Sequence, residues 1–243
     1  MANWSDPRPG AVPFGAARAG TRDAAFDAGL RSYMLSVYNY MASGVLLTGI
    51  VALLFASSGF AAQVMGTPLR WVIALSPLAF VMVLSFGINR LSTGAAQAIF
   101  WAFAAVMGLS MSSIFLVYTG ASIAITFFAT ATAFLALSLY GYTTKRNLQA
   151  FGTFLIMGVV GLLVAMIANM FFKSPGFSMV ISAIGVLLFA GLTAYDTQRI
   201  REVYYEVAGT DFMGKAVIMG ALSLYLDFVN MFQFLLSFMG SRD

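Results

Sequence analysis

The sequence predicts an all-α polytopic membrane protein, a bundle of seven transmembrane helices. Three observations carry that prediction. Of the 243 residues, 60% are hydrophobic and only 9% are charged, whereas soluble domains carry about 25% charged residues. The apolar residues fall into long runs, each long enough to cross a hydrocarbon core with about 20 residues. Short polar or Gly/Pro-bearing breaks divide those runs.

In chain order, residues 1–30 are polar and rich in Ala, Gly, Pro and Arg, without the apolar core of a secretory signal. They read as a disordered cytoplasmic tail, with the transmembrane domain at 31–243. The predicted spans are Tyr33–Phe60, Arg70–Asn89, Gly94–Thr119, Ser122–Tyr142, Phe151–Phe172, Phe177–Tyr195 and Gly214–Met239. Gly66-Thr67-Pro68, Asn89-Arg90, Lys145-Arg146-Asn147 and Lys173-Ser174-Pro175-Gly176 punctuate them. Tyr118-Thr119-Gly120 is the only break between the third and fourth spans and suggests a tight hairpin.

Basic residues set the orientation. With the N-terminus inside, the cytoplasmic side collects Arg8, Arg18, Arg22, Arg31, Arg90, Lys145, Arg146, Arg199, Arg201 and Lys215. The other side receives only Arg70, Lys173 and Arg242. The last span contains Asp227, Asn230 and Gln233, so it reads either as a central crossing helix or as a re-entrant one.

Composition also limits the chemistry. There is no cysteine, hence no disulfide framework and no thiolate metal site. There is no histidine either, so a response to pH near neutrality falls to carboxylates. The net charge of +4 follows from residues flanking helices and calls for no nucleic acid. The Met and Phe content reads as bilayer and core filling, and Gly158-Val-Val-Gly161 and Gly185 as close helix packing.

Two aspartates stand out. Asp196 closes the sixth apolar run in Ala-Tyr-Asp-Thr-Gln-Arg-Ile, and Asp227 lies inside the seventh. An ionised carboxylate near the bilayer centre costs about 2.5–3.5 kcal/mol on insertion scales, so such groups are paired, neutralised or used. On neighbouring helices the two are expected to meet, if the sixth helix ends deep in the membrane, and to share one proton. Deprotonated, they offer hard oxygen ligands for Ca²⁺. Asn230, one turn from Asp227, adds an amide on the same face. Arg90, at the end of the second span, reads either as a topology charge or as a latch for a carboxylate.

These motifs resemble the Bax inhibitor-1 family in its bacterial branch. The resemblance lies in Ala-Tyr-Asp196-Thr-Gln-Arg-Ile, Leu-Ser-Leu-Tyr-Leu-Asp227-Phe-Val-Asn230, Leu84-Ser-Phe-Gly-Ile-Asn-Arg90 and the entry Gly29 to Met41. It implies a seven-helix fold with the last helix central. It also implies a pH-sensitive calcium leak channel with Asp196 and Asp227 as sensor and ion-binding pair and Arg90 as the gating latch. No permanently bound cofactor is expected; Ca²⁺ is the transported ion, and the location is the bacterial inner membrane. Two departures stand beside it: Ser237 occupies a position where some members have arginine, and Trp71–Ile88 has no acidic residue.

Two other functions compete. Intramembrane aspartyl proteases place Tyr-Asp on one helix and Gly-x-Gly-Asp on the next. Tyr195-Asp196 matches the first half, but Leu224-Tyr225-Leu226-Asp227 lacks both glycines, so no enzyme is expected. An interaction protein that modulates a membrane-anchored ATP-dependent protease is the alternative function, and it is compatible with ion conduction.

Overall fold

The computed structural model describes residues 14–241, with side chains from residue 27 onward. Nine helices run through them: α1 (Phe14–Ser57), α2 (Phe60–Met65), α3 (Leu69–Gly87), α4 (Thr93–Met111), α5 (Ile114–Val117), α6 (Gly120–Thr143), α7 (Gln149–Phe172), α8 (Pro175–Val207) and α9 (Met213–Met239). Seven segments among the described residues are long and apolar enough to cross a membrane. They coincide with the predicted spans in number and order, the third being α4 and α5 together.

Two boundaries differ in an informative way. The expected tail 1–30 lies outside the described residues for 1–13, but α1 already runs from Phe14. The apolar run predicts a sixth span ending at Tyr195, yet α8 continues to Val207. Asp196 therefore sits within a helix and does not end one. Polar residues after Tyr195 end the apolar run, but helix formation does not need apolarity. Gln, Arg and Glu are good helix formers, and packing against α6, α9 and α1 buries Thr197, Ile200 and Tyr204 of this extension.

Side-chain caps fix the starts of three of these helices. Ser92 caps α4 by accepting from Ala95 N at 3.2 Å, and Thr119 caps α6 through Ser122 N at 3.2 Å. Lys173 ends α7 in the left-handed region, φ 49°. Ser174 then caps α8, with Pro175 at its first turn. The chain beyond α9 returns to this end of the bundle: Ser241 N donates to Ser122 Oγ at 2.9 Å.

The last helix is the centre of the bundle. In α9, 67% of the most apolar window is buried, against 11–44% in the other spans. It packs on α8, α1, α6 and α4, whereas α7 rests on α8 and α3 on α4. Tyr225, Leu224, Ile218 and Met231 of α9 are fully buried. Large apolar side chains on the peripheral helices, such as Phe86, Phe128, Phe171 and Leu187, point outward where lipid would solvate them.

Candidate functional site: a carboxyl pair on the central hairpin

Helices α8 and α9 form an antiparallel hairpin across the short connection 208–212, where Gly209 takes φ 76°. The closeness of this turn sets the register. Asp196 of α8 and Asp227 of α9 meet within hydrogen-bonding reach. Two turns further along the same seam, Phe189 and Phe234 stack at 5.8 Å with an interplanar angle of 21°. Each phenylalanine lies seven residues from its aspartate, so one helix face repeats the pairing.

Asp227 is only 4% exposed, and its Oδ2 has no standing hydrogen-bond donor among the described residues. Asp196 is partly buried, and the exposed Arg199 is close enough to act on it electrostatically. An ionised carboxylate only accepts hydrogen bonds. Direct contact between two carboxyl groups therefore requires a proton on one of them.

Small residues hold α8 in place around Asp196. A Cβ on Gly141 of α6 would collide with the Ala194 carbonyl, and one on Gly152 of α7 with the Tyr195 ring. These glycines let both helices close onto the two residues that precede Asp196. One turn along α6 from Gly141, the Ser138 and Thr197 hydroxyls join at 3.3 Å. Beside them, Gln198 clamps the α6–α7 loop: its Nε2 donates to Arg146 O, and its Oε1 accepts from Leu148 N, each at 2.8 Å. Arg201 Nη1 donates to the Tyr142 carbonyl at the C-terminal end of α6, where the helix dipole favours a cation.

Around Asp227, the Tyr225 hydroxyl bonds Thr48 Oγ1 of α1 at 2.6 Å, and Thr48 donates to Ala104 O of α4 at 2.8 Å. This chain ties α9 to α1 and α4 at a position two residues before Asp227. Asn230 Nδ2 donates to Leu226 O at 2.7 Å, so its amide first serves its own helix. Its side chain also lines a cavity of about 350 Å³ between α7, α8 and α9, with Asn169, Ser182, Gln233 and Ser237. Ser182 and Ser237 are hydrogen-bonded there at 3.0 Å. The cavity runs from the α7–α8 turn to within one helical turn of Asp227.

Arg90 stands apart. It lies in the exposed turn between α3 and α4 and makes no ion pair among the described residues. No group of three or more acidic or histidine side chains that could hold a metal ion gathers among the described residues.

Sequence reasoning missed Gln198, Thr48 and Tyr225 as supports of this site. Thr48 carried a usable signal, since a polar side chain in a membrane span needs a partner, whereas Gln198 lies beyond the predicted end of the sixth span. The glycine at 141 carried none, because its role depends on which helix faces it.

A family model described as Bax1-I, inhibitor of apoptosis-promoting Bax1, matches residues 30–243. The chain belongs to the Bax inhibitor-1 family. Bacterial relatives of this family match along nearly the whole chain. A protein of Caulobacter vibrioides is 46% identical over 90% of this chain and 92% of its own length. The inner membrane protein YbhL of Escherichia coli K12 is 45% identical over 88% and 94%. A membrane protein of Streptococcus pyogenes, SpyM3_0260, is 36% identical over 89% and 96%. Family membership and the seven apolar helices together make this a membrane protein.

Proposed function

We propose that this Bax inhibitor-1 family member is a pH-sensitive calcium leak channel, with Asp196 and Asp227 as a proton-sharing sensor that binds the passing ion. One observation carries the reading: two carboxyl groups in direct contact at the core of a seven-span bundle. With a shared proton the pair is a closed hydrogen-bonded link between α8 and α9. Without it, the two carboxylates repel, and their oxygens become hard ligands. A proton and Ca²⁺ then compete for the same oxygens. Two carboxylates with neutral oxygens nearby form a small ligand set. Such a set suits brief occupancy and release, as conduction requires.

The membrane would be a bacterial inner membrane, with the N-terminus cytoplasmic. This orientation follows from the basic residues, and the inner-membrane name of the E. coli relative supports the location. The test is Ca²⁺ flux into liposomes bearing purified protein, across pH 6–8. Flux above empty liposomes that rises with pH is expected. Flux equal to empty liposomes at every pH would remove the channel reading and leave the interaction protein as the function. Arg90→Ala in the same assay tests the latch: raised basal leak supports it, and unchanged leak per inserted protein removes it.

A further inference from the structure

Helices α1 and α6 do not close against one another. α1 packs on α4 and α9, and α6 on α8 and α9. The gap between them is a groove of about 360 Å³ at the end of the bundle that holds the 208–212 connection. That volume is at the scale of small-ligand pockets, ~300–1,000 Å³.

Its chemistry changes along its length. The floor is Met34 and Ser138, each 3% exposed. The walls are Leu35, Leu135 and Leu139, all more than half exposed and directed at the lipid. Arg31 stands at the mouth, seven residues and so about 10 Å along α1 from Tyr38 at the deep end. Lys145 and Arg146, both exposed, follow the end of α6 directly. The nearest acidic group on α1 is Asp27, one turn toward water; it makes no ion pair with Arg31 among the described residues. Arg201 of α8 is already engaged with the Tyr142 carbonyl.

We infer that this groove is a binding site for one anionic glycerophospholipid, with an acyl chain between α1 and α6 and its phosphate on Arg31. An apolar slot open to the bilayer takes a chain, and basic groups at its mouth select a negative headgroup over a zwitterionic one. A soluble anion would use the mouth but gain nothing from the leucine walls. A zwitterionic lipid would use the walls and offer Arg31 its phosphate, but would bring a cationic ammonium against the same basic mouth. The inference does not rest on ion conduction. It does bear on the carboxyl pair, because the floor residue Ser138 bonds Thr197, the neighbour of Asp196.

Native mass spectrometry of the purified full chain, with phosphatidylglycerol and phosphatidylcholine offered at equal mole fraction, tests the site. Retained phosphatidylglycerol should exceed phosphatidylcholine by about tenfold, equivalent to ~1.4 kcal/mol. Arg31→Gln should bring the two lipids to parity. Leu139→Trp, which fills the slot from its exposed rim, should lower retention of both. Arg70→Gln, at the other end of the bundle against Trp71, should leave the preference intact. Thermal unfolding of each variant checks that it is folded, and Leu135→Trp replaces Leu139→Trp if that variant is not. The inference is overturned by parity in the wild type, by a preference that survives Arg31→Gln, or by retention that neither tryptophan reduces. Displacement of phosphatidylglycerol by millimolar inorganic phosphate alone would also overturn it, since it would mark a free-anion site.

Discussion

Replacing Asp227 by asparagine separates the proton from the hydrogen bond. Asparagine has nearly the shape of a protonated aspartic acid, and its amide always has a hydrogen to donate. In the described geometry that amide faces the Asp196 carboxyl, so the α8–α9 link survives at every pH. Stability should therefore fall by less than ~1 kcal/mol, below the usual cost of a lost hydrogen bond. Asp227→Leu instead leaves Asp196 without its partner in a partly buried position. Such a lost hydrogen bond with a stranded polar group costs about 1–3 kcal/mol. The functional consequence is larger. Where the wild-type pair takes up one proton, Ca²⁺ flux should fall up to about tenfold per unit of falling pH, the limit for a single-proton equilibrium. In Asp227→Asn the link no longer depends on a proton. Flux should be low and vary less than about twofold over pH 6–8, with one member of the coupled pair gone. The sign is fixed by the chemistry, because a proton closes the wild-type pair and its loss frees the oxygens. The assay is a calcium dye trapped in liposomes, with pH matched on both sides. An Asp227→Asn profile that overlays the wild type would refute the reasoning.

Other expectations follow from the packing and the polar network. Gly141→Leu should destabilise the protein in detergent by about 1–3 kcal/mol through the Ala194 carbonyl, while Gly161→Leu, with open space at its Cα, should unfold like the wild type. Tyr225→Phe should cost about 1 kcal/mol by removing the 2.6 Å bond to Thr48, and Thr48→Val should cost more because it also loses Ala104; equal melting temperatures would count against the network. The chain has no cysteine, so single variants can be labelled without a background. Ser237→Cys in the polar cavity should react with a charged thiol reagent, and Leu187→Cys, 72% exposed on the lipid side, should not; no labelling of Ser237→Cys would show that the cavity is dry. A reporter fused after Asp243 should read as non-cytoplasmic, and a cytoplasmic signal would show that the proposed orientation is wrong.

The seven spans were legible because hydropathy is a local property, and each run is longer than the membrane needs. The two aspartates were legible for the opposite reason, as charges where the solvent tolerates none. Their contact was only half readable. Ending the sixth span at Tyr195 left Asp196 near the surface and a long loop to the seventh. The helix instead continues because Gln198 and Arg201 satisfy the end of α6 and the loop after it. Those bonds join residues about fifty positions apart, which no window of sequence brings together. Arg90 shows the converse. Its motif is local and easy to see, but which side chain it faces depends on packing, and among the described residues it faces no carboxylate.

The length of α8 has a mechanical consequence. At 33 residues it measures about 50 Å, while a hydrocarbon core is ~30 Å thick. Its final turns, with Glu202, Tyr205 and Glu206, extend past the apolar run on one unbroken rod. A helix resists twisting, so a torque on that projecting end arrives at Asp196 as a rotation of the whole shaft. A small turn at that end is the same turn at the carboxyl group, which shares its contact with Asp227 of the next helix. The protein thus has a shaft reaching from water to the partner of its most secluded carboxyl group.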